Sequence, residues 1–328
     1  MMSTKFDVLG IGNAIVDIIS RVDDDFLIRE NILKGGMTLI DEERAAHLLA
    51  LAPQPVMMSG GSAANTIAGL AGFKARTAYI GKVRDDVLGA DFARDIHDQG
   101  VAYHTERATE GAATARCFVM VTPDGQRSMC TYLGACQNLS EADVNDKDVA
   151  AAGIIYLEGY LWDPPAAKEA FVKASRLAHA HQRRVALSLS DAFCVERYRG
   201  EFLNLMRTGL VDIVFANDAE VKSLFQTDNL AEALAALRKE RCLTIVTHGA
   251  AGSHVIAADE ITSVPASAVE QVIDTTGAGD LYAAGFMLGL AQGRDHATCA
   301  RLGGAAAAAI IQQIGARLPT TMREQALA

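Results

Sequence analysis

At 328 residues, half of them hydrophobic and only 6% aromatic, the chain suits one large α/β domain with a core of Ala, Leu, Ile and Val. Its 30 basic and 40 acidic residues leave a net charge of −10, which argues against a nucleic-acid or anionic-membrane partner. No apolar run reaches the roughly 18 residues that cross a bilayer. Met1-Met2-Ser3-Thr4-Lys5 leads straight into a strand-like segment, and the six cysteines, without a C-x-x-C pair, read as thiols of a reducing compartment. The expectation is a cytoplasmic protein.

Residues 6–12 read as a buried first strand ending in glycine, and 14–22 continue apolar and β-branched around one acid, Asp17. Asp41 can cap a helix running to about residue 51. Met57 and Met58 lead to Ser59-Gly60-Gly61-Ser62-Ala63-Ala64-Asn65, and a small-residue helix follows through Ala71. A strand over 77–81 and a helix from near Asp86 come next. The stretch 115–133 reads as a hairpin turning at Asp124-Gly125. It breaks the strand–helix rhythm, so it is assigned with residues 14–36 to a small separate sheet.

From residue 152 the rhythm is regular, with strands over 154–157, 185–189, 211–215 and 243–247. Asp163 and Pro164 suit the cap and first position of one intervening helix, and Asn229 with Glu232 suits a capping box on another. Trp162, the single tryptophan, stands where it could touch a flat ligand. The fold class implied is a mostly parallel sheet with helices on both faces, with ligands off the carboxyl ends of the strands. No linker or repeat divides the chain, so residues 1–328 read as one domain.

The segment Asp274-Thr275-Thr276-Gly277-Ala278-Gly279-Asp280 carries the chemistry. Leu281, Ala284, Gly285 and Leu288 share a helical face, which predicts a helix after Asp280. A helix start offers free N–H groups and a positive dipole end to an anion, and glycine lets backbone approach it closely. An acid beside such a hole repels phosphate, but it serves as a base for a hydroxyl attacking that phosphate. That is the logic of a small-molecule kinase.

Two rival devices fail. A dinucleotide fingerprint beginning at Gly10-Ile11-Gly12 needs glycine where Ile15 stands, and Gly81-Lys82 is followed by Val83 rather than Ser or Thr of a P-loop. Asp17 among Ile15, Val16, Ile18 and Ile19 lies either on a wet strand face or in a cleft, where a carboxylate accepts from two adjacent sugar hydroxyls. Gly60-Gly61-Ser62 with Asn65 reads as a helix cap or as a ligand contact. Asn217-Asp218-Ala219-Glu220 reads as a capped helix start or as a site steering hydrated magnesium.

Taken together, D-T-x-G-A-G-D at 274–280, Gly60-Gly61 with Asn65, N-x-x-E at 217–220 and Val246-Thr247-x-Gly249-x-x-Gly252 resemble the ribokinase-like (PfkB) carbohydrate and nucleoside kinases, over residues 6–318. The opening Gly10-Ile11-Gly12-Asn13-Ala14-Ile15-Val16-Asp17, Ser62 in place of lysine, and Leu189-Ser190-Asp191-Ala192-Phe193 resemble the adenosine kinase branch, although Asp191 departs from it. The resemblance implies a doubly wound core with a β-sheet lid formed by about 14–36 and 103–135. It implies Asp280 as base, and Gly277, Ala278 and Gly279 as the anion hole. It places Asp17, Gly61, Ser62 and Asn65 on the substrate, and Asn217, Thr247, Gly249 and Gly252 on the nucleotide. Arg127 on the lid becomes a phosphate contact. Asn217 and Glu220 organise Mg2+ through water, and Asp274 and Thr276 bind a monovalent cation such as K+. The implied activity is ATP-dependent phosphorylation of the 5′-hydroxyl of adenosine or another purine nucleoside. The alternatives are a sugar kinase for ribose or a ketohexose, and a nucleotide- or sugar-sensing binding protein. The exposed edges of the lid suggest a homodimer through it.

Overall fold

The computed structural model describes residues 4–258 and 260–319. In chain order the elements are β1 (Phe6–Ile11), β2 (Ile15–Arg21), α1 (Asp24–Arg29), β3 (Met37–Leu39), α2 (Glu42–Leu51), β4 (Val56–Gly60), α3 (Ser62–Gly72), β5 (Thr77–Ile80), α4 (Val87–Asp98) and β6 (Val101–Tyr103). There follow β7 (Ala115–Val121), β8 (Arg127–Tyr132), α5 (Asp146–Ala151), β9 (Ala152–Glu158), α6 (Pro165–Ala180), β10 (Arg184–Ser188), α7 (Ala192–Arg207) and β11 (Ile213–Asn217). The last are α8 (Asp218–Phe225), α9 (Leu230–Leu237), β12 (Leu243–Thr247), β13 (Ser253–Ala257), β14 (Glu260–Val264), α10 (Ala278–Ala291) and α11 (His296–Ile310).

Among the described residues nine strands form the main sheet in the order β14-β13-β12-β11-β10-β9-β1-β5-β6. Neighbours from β6 to β12 are parallel, and β13 and β14 add an antiparallel edge. The chain winds outward from β1 in both directions, so the strand order reverses there. In a doubly wound sheet such a reversal opens a crevice at the carboxyl ends. Alternate residues of β1 feed two cores: Val8 packs with Ile67, Tyr79 and Phe286 on one face, while Leu9 and Ile11 pack with Phe171 and Phe202 on the other. All six cysteines are buried free thiols.

Helix α10 is buried throughout from Leu281 to Leu290, so the single apolar face expected of it is in fact an all-round apolar helix. It packs on α11 with almost no side chain between backbones, and on α3 through the Leu281 and Ala284 side chains, which face Gly69. A methyl on Gly285 would come within 2.5 Å of the Leu302 carbonyl, and one on Gly303 within 2.8 Å of the Tyr282 carbonyl.

The second sheet runs β3-β8-β7-β2-β4. The β7–β8 hairpin turns at Asp124-Gly125 as expected, with Gly125 at φ +81°. The boundaries of this sheet differ from 14–36 and 103–135. It recruits β3 at 37–39 and β4 at 56–60, whereas Tyr103 belongs to β6 at the edge of the main sheet. The Val56–Gly60 run lacks alternation because Val56 and Met57 are both exposed, so it does not read as a half-buried strand.

Candidate active site

The loop from β4 into α3 and the turn into α10 meet at the crevice. Gly61 caps α3 at φ +99°, and a methyl there would sit 2.1 Å from the Asn13 carbonyl. Only glycine accepts both conditions. The Tyr79 hydroxyl donates to that same carbonyl at 2.9 Å. Gly60 makes room for Asp17, whose Oδ2 would lie 2.3 Å from an added methyl.

Gly277, at φ +77°, is the N-cap of α10, which begins at Ala278. Asp280 therefore lies in the first turn of the helix rather than before it, because the left-handed glycine starts the helix three residues earlier than the apolar pattern shows. The amide of Leu281 returns to Gly277 O at 2.8 Å and that of Ala278 to Thr275 O at 3.2 Å. The turn is open, with Gly279 exposed. Such a helix start favours an anion through its free amides and dipole.

Asp280 is fixed from α3. The Ser62 hydroxyl donates to its Oδ1 at 2.7 Å, and Asn65 Nδ2 donates to its Oδ2 at 3.2 Å. Burial pushes Asp280 up to about 6, against the lowering effect of Ser62, Asn65 and the Arg317 charge. A carboxylate near that value is well matched to proton abstraction at neutral pH. Burial also raises Asp17 to about 6, opposed by Arg317 and Arg127 and helped by Asp280. The two acids flank the Gly60-Gly61-Ser62 loop. Asn65 Oδ1 is buried and, among the described residues, has no hydrogen-bond partner. An acceptor left in that state invites a donor from a ligand.

Behind this loop lies a network that sequence reading missed. Glu158, at the end of β9 and 1% exposed, accepts from Asn13 Nδ2 at 2.6 Å, Asn13 N at 3.3 Å and Ala63 N at 2.9 Å. Burial raises it to about 7 despite those donors. The signal was a glutamate closing an otherwise apolar strand.

Other expected residues lie elsewhere or are already engaged. Asn217 and Glu220 form a reciprocal capping box on α8, with Asn217 Nδ2 also donating to Glu220 Oε1 at 2.6 Å. Both carboxylate oxygens of Glu220 thus accept from Asn217. Among the described residues no group of three or more His, Cys, Asp or Glu side chains is arranged to hold a metal. This donor set fits a hydrated magnesium held through water and phosphate oxygens, not direct coordination.

Asp274 does not fit a monovalent-cation site. Its Oδ1 accepts from Thr276 N and Oγ1 at 3.0 and 2.7 Å, and its Oδ2 accepts from Gly315 N at 2.7 Å. Arg127 Nη2 lies 2.6 Å from that oxygen, an ion pair whose angle is poor for a hydrogen bond. Burial raises Asp274, yet these donors and the Arg127 charge outweigh it and hold its pKa below the usual value. Arg127 therefore ties the small sheet to the 274–280 turn. Thr247 Oγ1 donates to Ala216 O at 3.4 Å between neighbouring strand ends. Gly249 opens the β12–β13 turn, and a methyl on Gly252 would lie 2.1 Å from the Val264 carbonyl.

Trp162 is away from the crevice: its ring packs on Phe171 and Phe202, and Nε1 donates to Glu201 at 2.9 Å. Asp163 is no helix cap, since α6 begins at Pro165. It pairs instead with Arg197 at 3.0 Å and accepts from the Tyr198 hydroxyl.

The pfkB family carbohydrate kinase pattern matches residues 30–322. The chain belongs to that family. Its kinases transfer a phosphoryl group to an alcohol. A solved adenosine kinase from Sinorhizobium meliloti is 52% identical with a TM-score of 0.90, covering 98% of this chain and 99% of its own. A solved probable sugar kinase from Rhizobium etli CFN 42 is 51% identical with a TM-score of 0.91, covering 98% of both chains. Among curated proteins, the adenosine kinase of Saccharomyces cerevisiae is 25% identical over 333 residues, 94% of this chain and 96% of its own. The doubly wound sheet with a second small sheet is the architecture of this chain, which it shares with the two solved relatives.

Proposed function

We propose that this protein phosphorylates the 5′-hydroxyl of adenosine or a related purine nucleoside with ATP. The observation that carries the reading is Asp280, held by Ser62 and Asn65 in the first turn of the helix whose open N-terminus faces the crevice. The likeness to the Sinorhizobium adenosine kinase supports the nucleoside as acceptor. Asp17, Gly61 and Asn65 bind the ribose, the Asp17 carboxylate accepting from its two free hydroxyls. Asp280 accepts the 5′-hydroxyl proton as the new O–P bond forms. The bond from the γ-phosphorus to the bridging oxygen breaks, and ADP leaves with that electron pair.

The amides of the Gly277, Ala278 and Gly279 turn offset the charge carried by the transferring group. Most catalysis in such a transfer is positioning and charge stabilisation. Thr247, Gly249 and Gly252 border the nucleotide. Asn217 and Glu220 would steer a hydrated magnesium through water, and that ion would supply charge neutralisation on the phosphates. The small sheet closes as a lid and excludes water, with Arg127 moving from Asp274 to phosphate. No monovalent cation enters the reading, because Thr276 and Gly315 keep both oxygens of the Asp274 carboxylate engaged even when Arg127 leaves.

Replacing Asp280 with Asn is expected to cut kcat by about 10²–10⁴ while leaving ATP binding nearly intact. Near-normal turnover would overturn the assignment. The Rhizobium probable sugar kinase, at 51% against 52% identity, favours a sugar as the second reading. Comparing kcat/KM for adenosine, inosine, ribose and fructose decides between them. A sensing role would show as ligand binding without ADP release. The second sheet exposes Met37, Leu39, Val56 and Met57, which suits dimerisation through it, and sedimentation as a monomer only would remove that idea. The buried free thiols suit the cytoplasm, and among the described residues no helix is long and apolar enough to cross a membrane.

A further inference from the structure

Arg317 lies after the last helix, in a segment that the motifs do not touch. Three contacts fix it. Gly315 N donates to Asp274 Oδ2 at 2.7 Å. Ala316 packs under the anion turn, so a methyl on Gly277 would lie 2.9 Å from its Cα. Arg317 Nη2 donates to Ser59 O at 2.8 Å and to Ser59 Oγ at 3.2 Å. Ser59 is held in turn by Asp95 of α4, which accepts from its backbone N at 2.8 Å and from its hydroxyl at 2.5 Å.

The guanidinium is buried, and among the described residues its Nε and Nη1 have no hydrogen-bond partner. A buried arginine with two idle nitrogens is costly unless its charge is used. The acids that feel it are Asp95, Asp17 and Asp280, together with Tyr79. Asp17 packs on Gly60 and Asp280 is held by Ser62 and Asn65, so the segment that anchors the arginine also touches both acids.

We propose that Arg317 is a positioning residue, supplying the positive charge that Asp17 and Asp280 share and clamping the Ser59–Asn65 loop against the anion turn. This rests on the kinase reading given above, in which Asp280 is the base. Among the described residues the other titratable groups facing Asp280 are Asp17 on β2 and Tyr156 and Glu158 on β9, and none of them is cationic. Asp17 also faces Cys117 on β7 and Arg127 on β8. Arg127 is paired with Asp274, whereas Arg317 bears on both carboxylates.

The test compares R317M and R317K with wild type in the pH profile of kcat/KM, and by carbon-13 carboxyl titration of the ligand-free protein, with D17N and D280N assigning the signals. An opposite charge close to a carboxylate lowers its pKa by about 1–3 pH units, so R317M is expected to move the acidic limb and both carboxyl titrations upward by about 1 unit or more. That corresponds to an activity loss of about fivefold near pH 6 and about tenfold at pH 5, fading toward pH 8. R317K is expected to return the limb to its wild-type position. A pH-independent loss in R317M, or carboxyl titrations that coincide with wild type, overturns the proposal. If R317M does not fold, R317Q keeps donors for Ser59 and is read in the same way. If wild type phosphorylates none of the acceptors, the kinase reading fails, and the carboxyl titration alone decides the role of Arg317.

Discussion

Glu158 allows a quantitative check, because it is fully buried and its partners are known. Its carboxyl rises from 4.5 to about 7 on folding, burial outweighing the donors Ala63 and Asn13. Between those values the folded chain keeps a proton that the unfolded chain has lost, so stability falls as pH rises through that window. At about 1.4 kcal/mol per pH unit, the cost reaches about 3 kcal/mol above pH 7. Glu158→Gln cannot ionise and escapes this cost. It also replaces one acceptor with a donor facing Asn13 N and Ala63 N, which lowers stability by an amount independent of pH. Urea unfolding of both proteins at pH 5 and pH 8 separates the two effects. The stability of the variant relative to wild type is expected to improve by more than about 2 kcal/mol between those pH values. An offset that is the same at both would refute the reasoning, since it would mean that Glu158 is equally ionised in the folded and unfolded chains.

Gly61→Ala must place a side chain at φ +99° and 2.1 Å from the Asn13 carbonyl, so a stability loss of about 2–4 kcal/mol by calorimetry and a fall in kcat are expected. Arg127→Met removes the buried partner of Asp274, and a lower melting temperature together with a raised KM for ATP is expected from thermal unfolding and initial rates. An unchanged KM would leave Arg127 a purely structural ion pair. Trp162→Phe is expected to lower stability by about 1–2 kcal/mol through the lost Glu201 hydrogen bond, with the KM for the nucleoside unchanged in steady-state assays.

Local chemistry was most legible where one residue type satisfies one rule. Asp41 and Asp86 cap their helices, accepting from Arg44 N and Gly89 N at 2.8 Å each, and the Asp-Gly hairpin forms. The strand over 243–247 matches β12 residue for residue. The convergence of Ser62, Asn65 and Asp280 was visible as a family pattern, but their mutual hydrogen bonds were not, because 218 residues separate Ser62 from its partner. Glu158 and Arg317 escaped notice for the same reason. Each is a lone charge whose meaning depends on partners from distant elements. Asp163 and Trp162 misled in the opposite sense: their neighbours suggested a cap and a ring within reach of a flat ligand, while tertiary packing gave both to α7.

The close approach of α10 to its neighbours bears on motion. Where backbones touch without intervening side chains, a helix has no compressible layer in which to rock. Gly285 against Leu302 and Gly303 against Tyr282 therefore make the wall carrying Asp280 a stator. Substrates must be brought to that wall, and any travel during turnover falls to the part of the molecule joined to it by polar clasps rather than by interlocked backbone. The clasp that the proposed lid closure releases and re-forms is Arg127 to Asp274, while Arg317 keeps hold of Ser59.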